Sequence, residues 1–172
     1  MMLELGRALP PPTATLAAIP DGSAGTRATL KLMARLTREG KKCLPVRLVA
    51  QQLTQPLAQR NYPAEVRALH AFVRDRIRYV RDIRGVETIQ DAERTLTIKS
   101  GDCDDQSVLL AALLESIGHR TRFHAIGFAP DRFSHVYAET LLGNKWIALE
   151  TTEAWPAGRA PERAVAHMIE NV

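Results

Sequence analysis

Ser100-Gly101-Asp102-Cys103-Asp104-Asp105-Gln106-Ser107 runs without a break into Val108-Leu109-Leu110-Ala111-Ala112-Leu113-Leu114 and closes with Glu115-Ser116-Ile117-Gly118. The apolar run is the most hydrophobic in the chain and has no polar side, so it reads as a helix buried all round. Asp102 is a good N-cap with Asp105 three residues on, and Gly118 suits the C-terminal cap, which bounds a helix over about 103–117. After it the period changes to two: His119–Phe128, Ser134–Leu141 and Lys145–Leu149 alternate as strands, with Gly143-Asn144 as a two-residue hairpin turn.

Upstream the pattern is helical. Leu30, Leu32, Met33 and Leu36 recur at helical spacing between Thr26 and Gly40, predicting a helix near 27–39. Pro45 opens a second, with Val46, Val49 and Leu53, and Pro63 a third, with Val66, Leu69, Val73 and Ile77 on one stripe. One turn is expected at Asp91–Thr95. Residues 1–25 hold Pro10, Pro11, Pro12, Pro20, Gly22 and Gly25 without a sustained period, and read as an extended arm before a single domain at 26–172. Helices first and antiparallel strands last make the fold class α+β.

The chain's 172 residues suit one domain, and 45% hydrophobic with 24% charged residues exclude wholesale disorder and coiled-coil chains. Two cysteines are too few for a disulfide framework, so Cys43 and Cys103 are expected as free thiols. With no apolar run of 18 residues and no readable leader, neither membrane nor export is expected, and the default location is cytoplasmic. The formal charge of +4 is concentrated: Arg60, Arg67, Arg74, Arg76, Arg78, Arg81 and Arg84 face only Glu65, Asp75 and Asp82. This Arg60–Arg84 segment lacks the aromatics and spacings of nucleic-acid modules, so it is expected as a solvated face and not as a nucleic-acid site.

The first position of a helix favours an anion, because its N–H groups are unpaired and the dipole is positive there. Cys103 at that position has the setting of a nucleophilic thiolate, and its N–H can receive an oxyanion. The flanking aspartates oppose the thiolate, so a cation is needed. His135 is the candidate. With Gly143-Asn144 as the loop, Leu142 faces Lys145 and Tyr137 faces Glu150, which puts His135 and Glu150 on one face as diagonal neighbours. The opposite face carries Val136, Ala138, Ile147 and Leu149. A cysteine at a helix start with His and a carboxylate on adjacent strands is the arrangement of acyl-transfer enzymes.

Gly101-Asp-Cys103-Asp-Asp, Phe133-Ser-His135-Val-Tyr-Ala-Glu139 and Trp146-Ile-Ala-Leu-Glu150-Thr-Thr together resemble the transglutaminase-like core, with Ile77-Arg-Tyr79 as its lead-in. The longer pattern, including Ile19-Pro-Asp-Gly22 and Thr29-Leu-Lys-Leu-Met33, is similar to small transglutaminase-like proteins of bacteria and prophages. The resemblance implies a papain-like fold, with Cys103 as nucleophile, His135 as general base and acid, and Glu150, where the family usually has Asp, as the orienting carboxylate. The expected reaction is cysteine-dependent attack on a peptide or carboxamide bond, with hydrolysis by a protease or amidase preferred over transglutamination. The alternative is a non-catalytic module that binds a peptide or serves in phage or prophage assembly. Tyr79 and Gln90 lie where a second oxyanion donor would come from.

No cofactor is expected. A calcium loop fails because the alternation of Asp102 and Asp104 breaks at Gln106 and its glycine is replaced by Ser107. Zinc would require His119, His124 or His135 to converge on Cys103 without any paired-ligand spacing, so no metal is expected either. The aspartates are read as caps or as partners of Arg120 and Arg122, and Cys43 as incidental.

Overall fold

A computed structural model describes residues 22–82 and 88–172 of the chain. Residues 1–21 of the expected arm and Arg84 of the basic segment lie outside the described residues. Helix α1 spans Gly22–Gly40, α2 Leu44–Thr54, α3 Tyr62–Arg76 and α4 Ala92–Ile98. Pro45 sits in the first turn of α2 and Pro63 in that of α3, where a missing N–H costs nothing. α1 begins earlier than the sequence predicts, because Gly25 is buried inside the helix and does not break it. The single turn expected after Asp91 extends to seven residues, capped by the Asp91 carboxylate on the Arg94 N–H at 2.7 Å.

Helix α5, Cys103–Ser116, is the axis of the fold. It packs against all four other helices and against strands β3 (Thr121–Gly127) and β4 (His135–Leu142). Val108 through Leu114 are without exception fully buried. Each of its four leucines contributes about 1.5–3 kcal/mol by leaving water, so this one helix anchors the core.

Strands β3, β4, β5 (Lys145–Leu149) and β6 (Ala166–Asn171) form an antiparallel sheet in the order β5-β4-β3-β6. The hairpin register runs from Leu142↔Lys145 to Ala138↔Leu149, as the sequence predicts, and stops one pair short of Tyr137 and Glu150. Gly143 has φ +60° while Asn144 is not left-handed, the pattern of a type II′ turn that glycine serves at its first central position. Val136, Ala138, Phe123, Ala125, Leu149 and Met168 face the helices. On the other face, Ala160 and Ala164 of the β5–β6 connection pack on Ile126, Tyr137 and Ala148.

Three strands escape the sequence reading. β6 pairs with β3, and a short parallel pair joins β1 (Arg78–Tyr79) to β2 (Ser100–Gly101) just ahead of α5. Among the described residues no helix is long and apolar enough to cross a membrane. Arg67, Arg76, Arg78 and Arg81 are exposed, and Arg74 holds Asp75 at 2.7 Å and the Trp155 carbonyl at 2.8 Å.

Candidate active site

The start of α5 is bolted on three sides. Asp102 is the N-cap, and the Asp105 carboxylate reaches back to the Asp102 N–H at 3.2 Å to form a capping box. Gln106 sends its amide to the carbonyls of Ile77 and Gly101, each at 3.4 Å, which ties the helix to β1 and β2. Ser107 donates to the Cys103 carbonyl at 2.6 Å, and its hydroxyl lies 3.5 Å from the Val136 carbonyl on β4. Gly101 is required here, since a Cβ at that position would lie 2.5 Å from the Asp105 Cβ.

Cys103 is half-buried at the first helical position, with the backbone amide of Val136, the residue after His135, acting on its sulfur. Burial pushes the thiol up to about 12, Asp104 and Asp102 add to the rise, and the amides of Val136 and Asp104 oppose it without prevailing. The expected resting thiolate is therefore corrected to a neutral thiol: desolvation and two carboxylates outweigh the helix terminus. Asp104 and Asp105 are themselves buried.

The partners of Asp105 also differ from expectation. Its two oxygens accept from the Gln90 N–H and the Gln90 side-chain amide, each at 2.7 Å. Arg120 is exposed, and Arg122 pairs with Glu139 at 2.5 Å. Gln90 in turn commits its second amide hydrogen to the Ser100 carbonyl at 3.4 Å, which removes it as an oxyanion donor. Tyr79, the other candidate, is 44% exposed on β1. The carboxylates of Asp102, Asp104 and Asp105 lie within 4.8 Å of one another, a spacing that a cation could use. Within it, Asp105 accepts from three N–H donors and closes the capping box of α5.

The structure brings His135 and Glu150 together: His135 Nε2 lies 2.5 Å from Glu150 Oε2. Glu150 is 1% exposed, and its second oxygen accepts from the Thr152 N–H and hydroxyl, both at 2.8 Å. Burial pushes this carboxyl up, but the His135 hydrogen bond and charge, with the two Thr152 donors, outweigh it and hold the group below the ordinary glutamate value. Glu150 is thus an anion with three of its lone-pair directions defined by protein donors. Because a carboxylate only accepts, His135 Nε2 carries the hydrogen and Nδ1 is left as the basic nitrogen.

Behind this pair sits a residue that the sequence reading leaves in the scaffold. His70 of α3 is 1% exposed and lies 2.5 Å, through Nε2, from the Glu150 carbonyl, to which it must donate. Burial lowers its pKa, so it is a neutral clamp on the backbone that carries the acid. Its signal is positional: His70 interrupts the buried stripe Val66, Leu69, Val73, where an imidazole needs a partner. Thr152 has a weaker signal, two residues after the acid.

The family model described as the transglutaminase-like superfamily matches residues 47–151, from α2 to just past Glu150. The chain belongs to the transglutaminase-like superfamily. Among solved structures it is similar to a provisionally named cysteine protease from Cytophaga hutchinsonii, with TM-score 0.52 and 19% identity over 73% of this chain and 46% of that one. It is also similar to a provisionally named protease from Parabacteroides distasonis, with TM-score 0.57 and 16% identity over 74% of this chain and 27% of that one. At these identities the likeness shows the fold, and the chain corresponds to less than half of either protein's length. No curated protein matches the sequence.

Proposed function

We propose that the protein is a cysteine hydrolase that cleaves a peptide or carboxamide bond through Cys103, His135 and Glu150. The observation that carries this reading is the His135–Glu150 contact at 2.5 Å, with Glu150 immobilised by Thr152 and His70. His135 Nδ1 takes the Cys103 proton as the sulfur attacks the carbonyl carbon, and Glu150 stabilises the imidazolium. The Cys103 N–H, which has no acceptor within its helix, receives the oxyanion. His135 then protonates the leaving amine, and water, with His135 again as base, releases the acid from the thioester.

With a thiol pushed up to about 12, proton removal belongs to the attack step and does not precede it. Substrate that displaces water from the sulfur strengthens the His135 interaction at that moment. Water is the preferred acceptor, with a primary amine the other outcome of the same thioester. A protein or peptide substrate and a reducing, cytoplasmic setting fit two free thiols, one of them at the site.

The high thiol pKa also favours a second reading, a non-catalytic module that uses the same groove to hold a peptide in an assembly such as a phage particle. One experiment separates them. A mixed peptide library with a labelled primary amine is incubated with the parent and with Cys103→Ala, and new termini and label incorporation are read by mass spectrometry. Hydrolysis or incorporation by the parent that disappears in Cys103→Ala supports the enzyme. Turnover unchanged in Cys103→Ala, or peptide retention without turnover in both, overturns it.

A further inference from the structure

We propose that α1 and the start of α2 form a docking face for an anionic phospholipid membrane surface. Seven lysines and arginines lie between Gly22 and Thr54 against a single acid, Glu39. Five of them, Arg27, Lys31, Arg35, Arg38 and Lys42, recur every three or four residues, and all five are exposed. The four on α1 fall within about a quarter of the helix circumference and span about 16 Å along its axis. The core-facing side of α1 is occupied by Leu30, Met33, Ala34 and Thr37.

The helix gains nothing from this stripe by itself. Arg27 with Lys31, and Lys31 with Arg35, are like charges four residues apart, a spacing that repels and works against the helix. A solvated face ordinarily intersperses both signs. Among the described residues none of the five cations makes an ion pair, and of the seven only Lys41 does, with Glu115 at 3.1 Å. The charge is therefore uncompensated within the described fold and is matched by an anion from outside it.

Two leucines select the kind of anion. Leu44 and Leu48, one turn apart on α2, are 64% and 53% exposed, and they follow directly on Lys42 with the exposed Arg47 between them. Aliphatic side chains have no task on a phosphodiester backbone, which is contacted through charge and hydrogen bonds. An anionic bilayer meets both features, with charge at its headgroups and an apolar boundary just beneath them. Its headgroups also diffuse laterally, so they match a line of cations at any spacing. Gly40, at the end of α1, lies against Ala112 of α5, where an added Cβ would come to 3.3 Å, and Lys41 reaches Glu115 in the last turn of α5. That end of the stripe is therefore about 18 Å along α5 from Cys103. The face uses none of the residues assigned to acyl transfer.

The test is co-sedimentation of the full chain with vesicles of equimolar phosphatidylserine and phosphatidylcholine, and with vesicles of phosphatidylcholine alone. Binding is expected to the mixed vesicles and at least about tenfold more weakly to phosphatidylcholine. Each cation at the surface corresponds to about fivefold in affinity, so Lys31→Gln, Arg35→Gln and Arg38→Gln combined should weaken binding about 100-fold. Leu44→Ser with Leu48→Ser should weaken it about tenfold. All five side chains are on the surface, so both variants are expected to keep the parent's circular dichroism and melting temperature. Vesicle binding needs no turnover, and its outcome is independent of the reaction assigned to Cys103. Absence of sedimentation with the mixed vesicles overturns the proposal, as does equal affinity for the two compositions or for the parent and the triple variant. Affinity unchanged by the leucine substitutions overturns it too, and gives the face to a partner that reads charge alone, such as a nucleic acid.

Discussion

At the scale of single residues, Cys103 separates position from reactivity. The helix start and the Val136 amide favour a thiolate, but burial and the Asp104 and Asp102 charges decide the matter and leave a thiol near 12. The alkylation rate of Cys103 by iodoacetamide, measured in Cys43→Ser, should therefore still be climbing above pH 9; a plateau reached by pH 8 would contradict the burial account. Glu150→Gln is expected to lower turnover by about 10²–10⁴-fold, because an amide hydrogen facing His135 Nε2 forces the imidazole hydrogen onto Nδ1, where the base is needed. Glu150→Gln should also lose the charge that stabilises the imidazolium. Turnover within a few-fold of the parent would mean that Glu150 does not orient the base. Cys103, His135 and Glu150 are legible in the sequence because each carries a chemical signal at a spacing that hairpin arithmetic can test. His70 is not, because it acts on Glu150 through a backbone carbonyl that any residue at position 150 would offer, and Thr152 signals only weakly, reaching the Glu150 carboxylate with its own N–H and hydroxyl from two residues on.

At the scale of elements, the first turn of α5 depends on the strand that precedes it. Gly101 permits Asp105 to lie across β2 and hold Gln90 and the Asp102 N–H together. Gly101→Ala should destabilise the fold by about 1–3 kcal/mol, read by urea unfolding, since the clash is with a buried carboxylate locked by three donors and not with a mobile chain end. A loss below about 0.5 kcal/mol would show that the Asp105 side chain is free to move. α5 and the β4–β5 hairpin are legible because local signals agree at every level: cap, apolar run, C-terminal glycine, and a turn glycine at φ +60°. β6 is hidden for the opposite reason. Its buried residues are only Ala166 and Met168, while Ile169 on the outward side is 42% exposed, so its alternation of apolar and polar residues is blurred. β1 and β2, two residues each, are too short for any period and exist because the chain on either side of them is already anchored.

At the scale of the whole molecule, stability against pH is set by buried groups that titrate in opposite senses. Burial raises Asp105 from 3.8 to about 6, so the native state holds its proton longer than the unfolded chain, and stability falls as pH rises from about 4 to about 6. The shift corresponds to about 3 kcal/mol across that window. Burial lowers His70 from 6.5, so the unfolded chain binds the proton first, and stability falls as pH drops below about 6.5. Below about pH 6 the two slopes oppose each other over the range in which His70 titrates, each offsetting part of the other. Below that range stability should drop, as Glu139 and Glu150, both held under the ordinary 4.5, finally take up protons. Single substitutions uncover each slope. Asp105→Asn removes one titration and should make stability rise with pH over this window, while His70→Gln removes the other and should make it fall. Urea midpoints at half-unit pH steps give the sign directly, and two variants with slopes of the same sign would mean that the buried acid and the buried base are not the groups that govern the midrange.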